Sequence, residues 1–214
     1  MEKTRKTRIS VLSLILLAIA AAALIIGLAA AKYVKEVRMT HKITVSADLA
    51  KSIEIFEHKV NRTEHGDYEM SADTVTKNEY KLMPGVDVPK DPTIKVTGYT
   101  GLHAWLYVEV IGSPTDEIKF TVDTAAWGSP LTITGPNGGK LYARELTSDN
   151  ITVDNGGNPE FTILKADGKG NSVTVSEKLP RNASLELKFY GYITQYYTND
   201  PAADFNTAFT STNG

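Results

Sequence analysis

The first side chains to consider for chemistry are the four histidines, His41, His58, His65 and His103. The chain has no cysteine, which excludes a thiol nucleophile, a disulfide bond and a cysteine-ligated metal. The densest group of possible metal ligands is formed by Glu57, His58, Glu64 and His65. It lacks the H-E-x-x-H spacing and any other helical two-histidine spacing that holds zinc, and its neighbours are charged and turn-like. We therefore interpret this group as solvated surface rather than as a metal site.

Other catalytic and ion-binding patterns also lack the required spacing. No serine lies in a G-x-S-x-G turn, which exposes the nucleophile of many hydrolases. The stretches DNGGNPE and DGKGNS do not match the D-x-[DN]-x-[DN]-G spacing of a calcium loop and are more typical of hairpin turns. We therefore expect no enzyme activity, no bound metal and no cofactor.

The first 31 residues have the composition of an export signal. Four basic residues among the first eight precede an uncharged run of 23 residues, Ile9 to Ala31, which is long enough to span a bilayer as a helix. Ala29 and Ala31 place a small-x-small pattern directly before Lys32, which predicts cleavage by a signal peptidase between Ala31 and Lys32. A retained membrane helix is the alternative. In both cases we expect the remainder to be exported and to meet the membrane only through this segment.

Removal of residues 1–31 would leave an acidic domain. The whole chain has a net charge of −2 and its first 31 residues carry +3, so residues 32–214 carry −5. A domain of this charge does not attract a polyanion, so nucleic acid is not an expected partner.

Alternating apolar and polar residues predict an all-β domain over residues 51–214. The alternation is clearest at residues 104–110, 118–122 and 185–193, each of which presents one apolar face. We expect an antiparallel β-sandwich that ends in a short helix, because Asp200 is placed to cap a helix that starts at Pro201.

Several aromatic residues fall in the polar register of the predicted strands. Tyrosine and tryptophan are common at binding surfaces because an apolar ring carries a polar group. Two interpretations remain open, a partner interface or cross-strand pairing within one sheet. The candidate interface aromatics are Trp105, Tyr107, Tyr190 and Tyr192.

A proline-rich connection precedes one of these strands. Pro84, Pro89 and Pro92 exclude a helix and a central strand between residues 83 and 91. The Pro84-Gly85 pair predicts a turn, and the alternation that follows at residues 93–97 predicts a half-buried strand. The stretch is thus expected to be a rigid crossover that delivers the chain into a sheet.

These features resemble those of the TasA/camelysin family of exported matrix-fibre proteins. The stretch YKLMPGVDVPKDPTIKVTG, followed by HAWLYVEV, is similar to the family's motif L-x-P-G … KDP-x-V-x-V, and HKITVSADLAKSIEI and YGYITQYYTND resemble segments near its two ends. Residues 112–178 show no specific similarity, and AAAKYVKE departs from the family's usual cleavage region. The motif residues in this chain are Leu82, Pro84, Gly85, Lys90, Asp91 and Pro92.

The resemblance implies a jelly-roll-like sandwich that is exported by a dedicated signal peptidase and assembles into fibres in the extracellular matrix or at the cell surface. Its partners would be further copies of itself or related matrix subunits, joined by an N-terminal strand inserted into the neighbouring subunit. We expect residues 32–50 to form this donor arm, with Val37, Ile43 and Val45 as buried anchors. The alternatives are a membrane-anchored surface adhesin and a camelysin-like metalloendopeptidase.

Overall fold

The structure is a computed structural model. It describes residues 53–97, 103–147, 158–180 and 183–210, and the backbone of residues 35–38. Within these ranges no helix is long and apolar enough to cross a membrane. The apolar run at 9–31, the predicted cleavage site at Ala31 and Lys32, and the predicted anchors Ile43 and Val45 lie outside the described residues.

Ten strands and two short helices make up the described part of the chain. In chain order they are β1 (Lys35–Arg38), β2 (Ile53–Arg62), β3 (Tyr68–Val75), β4 (Thr93–Val96), β5 (Ala104–Ile111), β6 (Ile118–Phe120), α1 (Thr124–Trp127), β7 (Lys140–Leu146), β8 (Glu160–Thr162), β9 (Val173–Val175), β10 (Lys188–Gln195) and α2 (Pro201–Thr210).

The strands form two four-stranded sheets and one two-stranded sheet. The first sheet has the order β1-β10-β5-β7, the second β3-β2-β4-β8, and β6 pairs with β9. All pairs of strands are antiparallel. The predicted all-β class is therefore confirmed, as is the short C-terminal helix.

The main core lies between the two four-stranded sheets. Isoleucine and valine side chains of β2 and β4 pack against alternate residues of β5 and β10. Examples are Ile53 and Ile94 from the second sheet and Leu106 and Ile193 from the first, none more than 2% exposed. Burial of these side chains supplies the main driving force for stacking the sheets.

Strand β5 is buried on both faces, which corrects the expectation of one apolar and one polar face at residues 104–110. Its seven residues from Ala104 to Val110 are all buried. The second face is covered by α2, whose Phe205 packs edge-on against Tyr107 and Tyr192. The cause is a C-terminal layer that the alternation within β5 does not report.

The same layer covers three of the four candidate interface aromatics, Trp105, Tyr107 and Tyr192, and so corrects their interpretation as a partner interface. Tyr107 and Tyr192 are 0% exposed and Trp105 is 7% exposed, while Tyr190 is half-buried and packs against the same cluster. Tyr107 pairs with Tyr192 across β5 and β10, so the alternative of cross-strand pairing describes them. The rings of Tyr107 and Tyr192 pack against Phe205 of the C-terminal helix, and the Trp105 indole N–H donates to the Thr198 carbonyl just before that helix.

That helix begins as its cap predicts. The Asp200 carboxylate accepts hydrogen bonds from the backbone N–H groups of Ala202 and Ala203, which is the usual way in which an aspartate satisfies the first N–H groups of a helix. Phe205 and Ala208 are buried on the sandwich side. The cap thus fixes where the helix begins, and its apolar face determines where it docks.

Candidate strand-docking edge

The outer edge of β10 is covered by the N-terminal arm. Strand β1 pairs with β10 from Lys35, opposite Ile193, to Arg38, opposite Tyr190. On its other side β10 pairs with β5 along all eight of its residues. Among the described residues, the arm therefore pairs with four of the eight residues on the outer side of β10, at a place where another chain could pair instead.

The centre of this edge is built around a glycine. Val37, one of the predicted anchors, pairs in register with Gly191. A Cβ atom added at Gly191 would lie 3.1 Å from Ile55 Cδ1 and 3.4 Å from Ile94 Cδ1. The absence of a side chain at Gly191 thus lets β10 lie directly against the isoleucines of the second sheet.

A buried ion pair joins β2 to the proline-rich crossover. Lys90 Nζ is 2.6 Å from Glu57 Oε2, and the two side chains are 10% and 1% exposed. Glu57 follows Ile53 and Ile55 along the inward face of β2, whereas Lys90 comes from the proline-rich crossover. A buried carboxylate is tolerated only when charge and hydrogen bonds compensate its lost hydration, so the pair holds the crossover to β2.

Asn78 donates a hydrogen bond to the second carboxylate oxygen of Glu57 and also contacts the bulge in β2 between His58 and Val60. Its backbone N–H donates to Glu57 Oε1 at 2.8 Å. Its side chain accepts from the Val60 N–H and donates to the His58 carbonyl, where the pairing of β2 with β3 shifts register. The Asn78 amide thus satisfies backbone groups that the bulge leaves without a strand partner.

His58 and Asp91 form a second contact between β2 and the crossover. His58 Nδ1 lies 2.5 Å from Asp91 Oδ2, and the His58 backbone N–H donates to Asp91 Oδ1. The His58 side chain is 39% exposed, so this contact lies at the surface end of the buried pair. Sequence reasoning placed His58 on a solvated surface and did not anticipate its partner.

Aromatic rings enclose the Lys90 ammonium and connect the cluster to β10. Lys90 Nζ lies 5.4 Å from the ring centroid of Tyr80 and 5.9 Å from that of Phe189 in β10, distances at which a cation is attracted to a ring face. Burial, and secondarily the negative charge of Glu57, raises the pKa of Tyr80, so its hydroxyl stays protonated. Lys90, which belongs to the crossover, therefore also reaches β10, the strand on which the arm docks.

The remaining motif residues shape the crossover itself. Gly85 has φ of +73°, which glycine adopts without strain at the predicted turn after Pro84. Its N–H donates to the Ser176 carbonyl, and Val88 pairs with Val173 in β9. Leu82 packs against the apolar cluster around Val88. In addition, the Pro92 carbonyl accepts from the Ile163 N–H.

A second buried carboxylate, that of Glu109 in β5, is hydrogen-bonded to β10 through the Tyr192 hydroxyl. Glu109 is 0% exposed and accepts from the N–H groups of Asn137 and Gly139, from the Asn137 amide and from the Tyr192 hydroxyl. A Cβ atom added at Gly135 would lie 2.3 Å from Glu109 Cδ. The hairpin chemistry of GPNGGK was predicted, but its role in enclosing a carboxylate was not.

A sequence signal existed for one of the two buried glutamates. Glu57 continues the period-2 apolar face of Ile53 and Ile55, whereas Glu109 shares the register of Trp105 and Tyr107, which reads as polar in the sequence. A charged residue in an inward register implies a buried partner. The identity of that partner depends on long-range contacts, which spacing alone does not reveal.

The described residues contain no arrangement suited to catalysis by a metal. Across residues 53–97, 103–147, 158–180 and 183–210, no three histidine, aspartate or glutamate side chains converge as a cation would require. His103, also within these ranges, lies 2.5 Å from Glu145 and stacks on Tyr196.

Comparison with known proteins returned nothing, since no protein-family model, no curated protein and no solved structure matches the chain. The resemblance to the TasA/camelysin family therefore stays a prediction from the sequence motif.

Proposed function

We propose that this chain is an exported structural subunit of extracellular fibres, and that it polymerises by moving β1 from its own β10 to the β10 of a neighbouring subunit. The observation that carries the proposal is the pairing of Lys35–Arg38 with Tyr190–Ile193 at the edge of the first sheet. Because the same backbone hydrogen bonds can form within one chain or between two, exchange converts a closed monomer into an open chain of subunits.

The composition of β1 favours exchange over permanent self-pairing. The strand is only four residues long, and three of them, Lys35, Glu36 and Arg38, are charged. A short charged strand blunts an edge without holding it tightly. At the high subunit concentration along a growing fibre, an arm from a neighbour can therefore compete with the chain's own arm.

The position of the arm links exchange to processing. Lys35 lies four residues after Ala31, a span of at most about 14 Å in extended chain. If residues 9–31 stayed in a bilayer, β1 would be tethered close to the membrane surface. Cleavage between Ala31 and Lys32 would release the arm, which would then be able to reach a neighbouring subunit.

The motif residues support the receiving side of this proposal. Lys90 and Asp91 hold the crossover against β2, and Lys90 reaches the Phe189 ring of β10. In the proposed family these residues would shape a jelly-roll-like sandwich whose open edge accepts the arm. The proposed role is structural rather than catalytic, and its location is the extracellular matrix or the cell surface.

The experiment is to express the full chain in an exporting host, determine the N-terminus of the extracellular protein and image it by negative stain. We expect an N-terminus at Lys32 and regular filaments. Deletion of residues 33–48 should abolish the filaments, and a synthetic peptide of residues 32–48 should raise the melting temperature of the deleted protein by binding its open edge. The same peptide with scrambled sequence is the control.

Two results would contradict the proposal. Filaments that persist without residues 33–48 would exclude strand exchange by this arm. A protein that keeps residues 9–31 and forms no filaments would instead favour the membrane-anchored adhesin.

A further inference from the structure

The segment that precedes β10 has the pattern of a strand but no strand partner. Alternation in the sequence predicts a strand from residue 185, whereas β10 begins three residues later. Leu185 and Leu187 are half-buried while Ser184 and Glu186 are exposed, so the period-2 pattern persists through these residues. In the described part of the chain, no strand pairs with residues 183–187. The edge of the first sheet is therefore incomplete at this end.

One side of this segment is already occupied. Gly112, which follows β5, has φ of +120° and lies directly against it. A Cβ atom added at Gly112 would lie 2.7 Å from the Glu186 carbonyl oxygen and 3.0 Å from Leu187 Cδ1. Because β5 flanks β10 on the side opposite β1, the side that faces the arm is the one left without a strand.

The register of β1 shows which residues of an arm would meet this segment. Each step forward along β1 is one step backward along β10, as far as Arg38 opposite Tyr190. Continued without a bulge, this register places all three predicted anchors of the arm on one face, opposite a glycine or an apolar residue. The pairs on that face are Val37 with Gly191, Met39 with Phe189, His41 with Leu187, Ile43 with Leu185 and Val45 with Ala183.

The face shared by these pairs is the inward one, because directly opposed residues of antiparallel strands point to the same side of a sheet. Leu187 packs against the main core, and Leu185 packs against the apolar cluster of β6 and β9. On the outer face the same register sets Lys42 opposite Glu186, whose present partner is the neighbouring Lys188 at 2.8 Å. The sequence after β1 therefore matches this edge in both apolar pattern and charge.

The chain's own arm can barely cover this edge. From Val37 to Val45 an extended arm would run about 27 Å along β10, at about 3.4 Å per residue. Eight residue steps then lead to Ile53, whose Cδ1 lies only 3.5 Å from the Cβ position at Gly191, opposite Val37. Returning along the arm and across the roughly 10 Å between sheets requires about 29 Å, which is the limit for eight extended residues. An arm from a neighbouring subunit escapes this limit, because that subunit can lie further along the edge.

We propose that an exchanged arm pairs with its neighbour from residue 35 to residue 45, so that Ile43 and Val45 of a second copy occupy the edge at residues 183–187. This inference rests on the proposed strand exchange and adds the register and the residues that determine its specificity. The exchanged arm would bury two anchors that the closed monomer cannot bury without a taut return. That extra burial favours pairing between subunits over pairing within one chain.

Paired cysteines test the register, since the chain has no cysteine of its own. Thr44 falls opposite Ser184, so Thr44→Cys with Ser184→Cys puts two thiols at directly opposed positions, where the Cα separation suits a disulfide. Oxidised filaments of this full-length variant, recovered from an exporting host, should give a ladder of covalent oligomers, and the dispersed monomer should give no internal crosslink. Thr44→Cys with Lys188→Cys is the control, because four residues out of register, about 14 Å, is too far for a disulfide.

Substitutions in the arm test the anchors. Burial of an isoleucine side chain is worth about 1.5–3 kcal/mol, so Ile43→Asn should raise the protein concentration needed for filament formation about tenfold or more. Thr44→Asn, on the outer face of the same stretch, should change it by about twofold or less. Tryptophan fluorescence of the dispersed protein checks that the sandwich of each variant is folded.

The outcomes separate this inference from strand exchange itself. Filaments that link through Arg38→Cys with Tyr190→Cys but not through Thr44→Cys with Ser184→Cys would overturn the extended register and leave exchange in place. Links between subunits through neither pair would overturn both. An internal crosslink between positions 44 and 184 in the dispersed monomer would show that the chain's own arm covers this edge. Equal effects of Ile43→Asn and Thr44→Asn would show that Ile43 is not an anchor.

Discussion

Replacing Lys90 with methionine tests whether the buried ion pair holds the crossover to the sandwich. Methionine keeps an unbranched apolar side chain of similar length but removes the charge. Glu57, 1% exposed, would then be a buried carboxylate whose remaining partner is the Asn78 N–H. Removing one member of a buried pair costs about 3–5 kcal/mol, because the other charge stays desolvated and uncompensated.

This loss should be large relative to the total stability. Small domains are stable by about 5–15 kcal/mol, and for 150–250 residues each kcal/mol lowers the melting temperature by about 2–4 °C. Lys90→Met should therefore lower the melting temperature by about 6–20 °C. Thermal and urea unfolding can be followed by tryptophan fluorescence, since Trp105 and Trp127 are both buried.

Two further variants separate charge from packing. Glu57→Gln in the Lys90→Met background removes the stranded charge and keeps an oxygen that can accept from Asn78, so the double variant should be more stable than Lys90→Met alone. Lys77→Met breaks the ion pair between Lys77 and Glu79 in the segment before the crossover. These two side chains are 65% and 80% exposed, so the change should leave the melting temperature nearly unchanged.

The reasoning would be refuted if Lys90→Met cost less than about 1 kcal/mol, or if the double variant were no more stable than the single one. The first result would mean that the cluster admits enough water to hydrate Glu57. The second would mean that Lys90 acts through packing on Tyr80 and Phe189 rather than through its charge.

Three other changes have defined outcomes. Gly135→Ala should destabilise the protein by about 1–3 kcal/mol in urea unfolding, because its Cβ would lie 2.3 Å from Glu109 Cδ and force the buried carboxylate to move; unchanged stability would contradict the tight enclosure. Phe205→Ala should cost about 3–5 kcal/mol by calorimetry, since its 3% exposed ring fills the space over Tyr107 and Tyr192, and a cost below about 1 kcal/mol would mean that α2 is not part of the fold's core. Hydrogen bonds from the backbone N–H groups of Asn171 and Lys169 lower the pKa of Asp167. The Asp167 carboxylate should therefore contribute its full stabilisation above its unfolded-state pKa, and this contribution should be lost as pH falls through its folded-state pKa. An NMR titration that gave an ordinary or raised pKa for Asp167 would contradict this turn geometry.

Local sequence patterns predicted the strands and the C-terminal helix better than they predicted how these elements pack on one another. The period-2 alternation in β5 and β10 identified both strands, and Asp200 before Pro201 located the C-terminal helix. The same alternation misplaced Tyr107 and Tyr192, because a polar register indicates solvent only when no other element covers that face. That cover is α2, which lies far away in sequence, and no residue within β5 reports its position.

For the candidate site too, the sequence predicted the local features but not the long-range contacts. Proline positions defined the crossover and its turn at Pro84-Gly85, since both are local backbone constraints. The partners of Lys90 and Asp91 in β2 are 33 residues away, and their pairing arises only when the sheets assemble. Spacing therefore identified the motif but not the ion pair that it builds.

The most direct test of strand exchange is to trap β1 on β10 with a disulfide. Arg38 and Tyr190 pair in register, and directly opposed residues of antiparallel strands have the Cα separation that a disulfide requires. Because the chain has no other cysteine, the variant carrying both Arg38→Cys and Tyr190→Cys reports this contact alone. Either single variant is the control, since one cysteine can link at most two chains.

Exchange between subunits predicts a ladder of covalent oligomers when oxidised filaments of the double variant are run on a non-reducing denaturing gel, and its collapse to a single band after reduction. A product that contained only the internally crosslinked monomer would show that β1 stays on its own chain, and it would contradict the proposed mode of assembly.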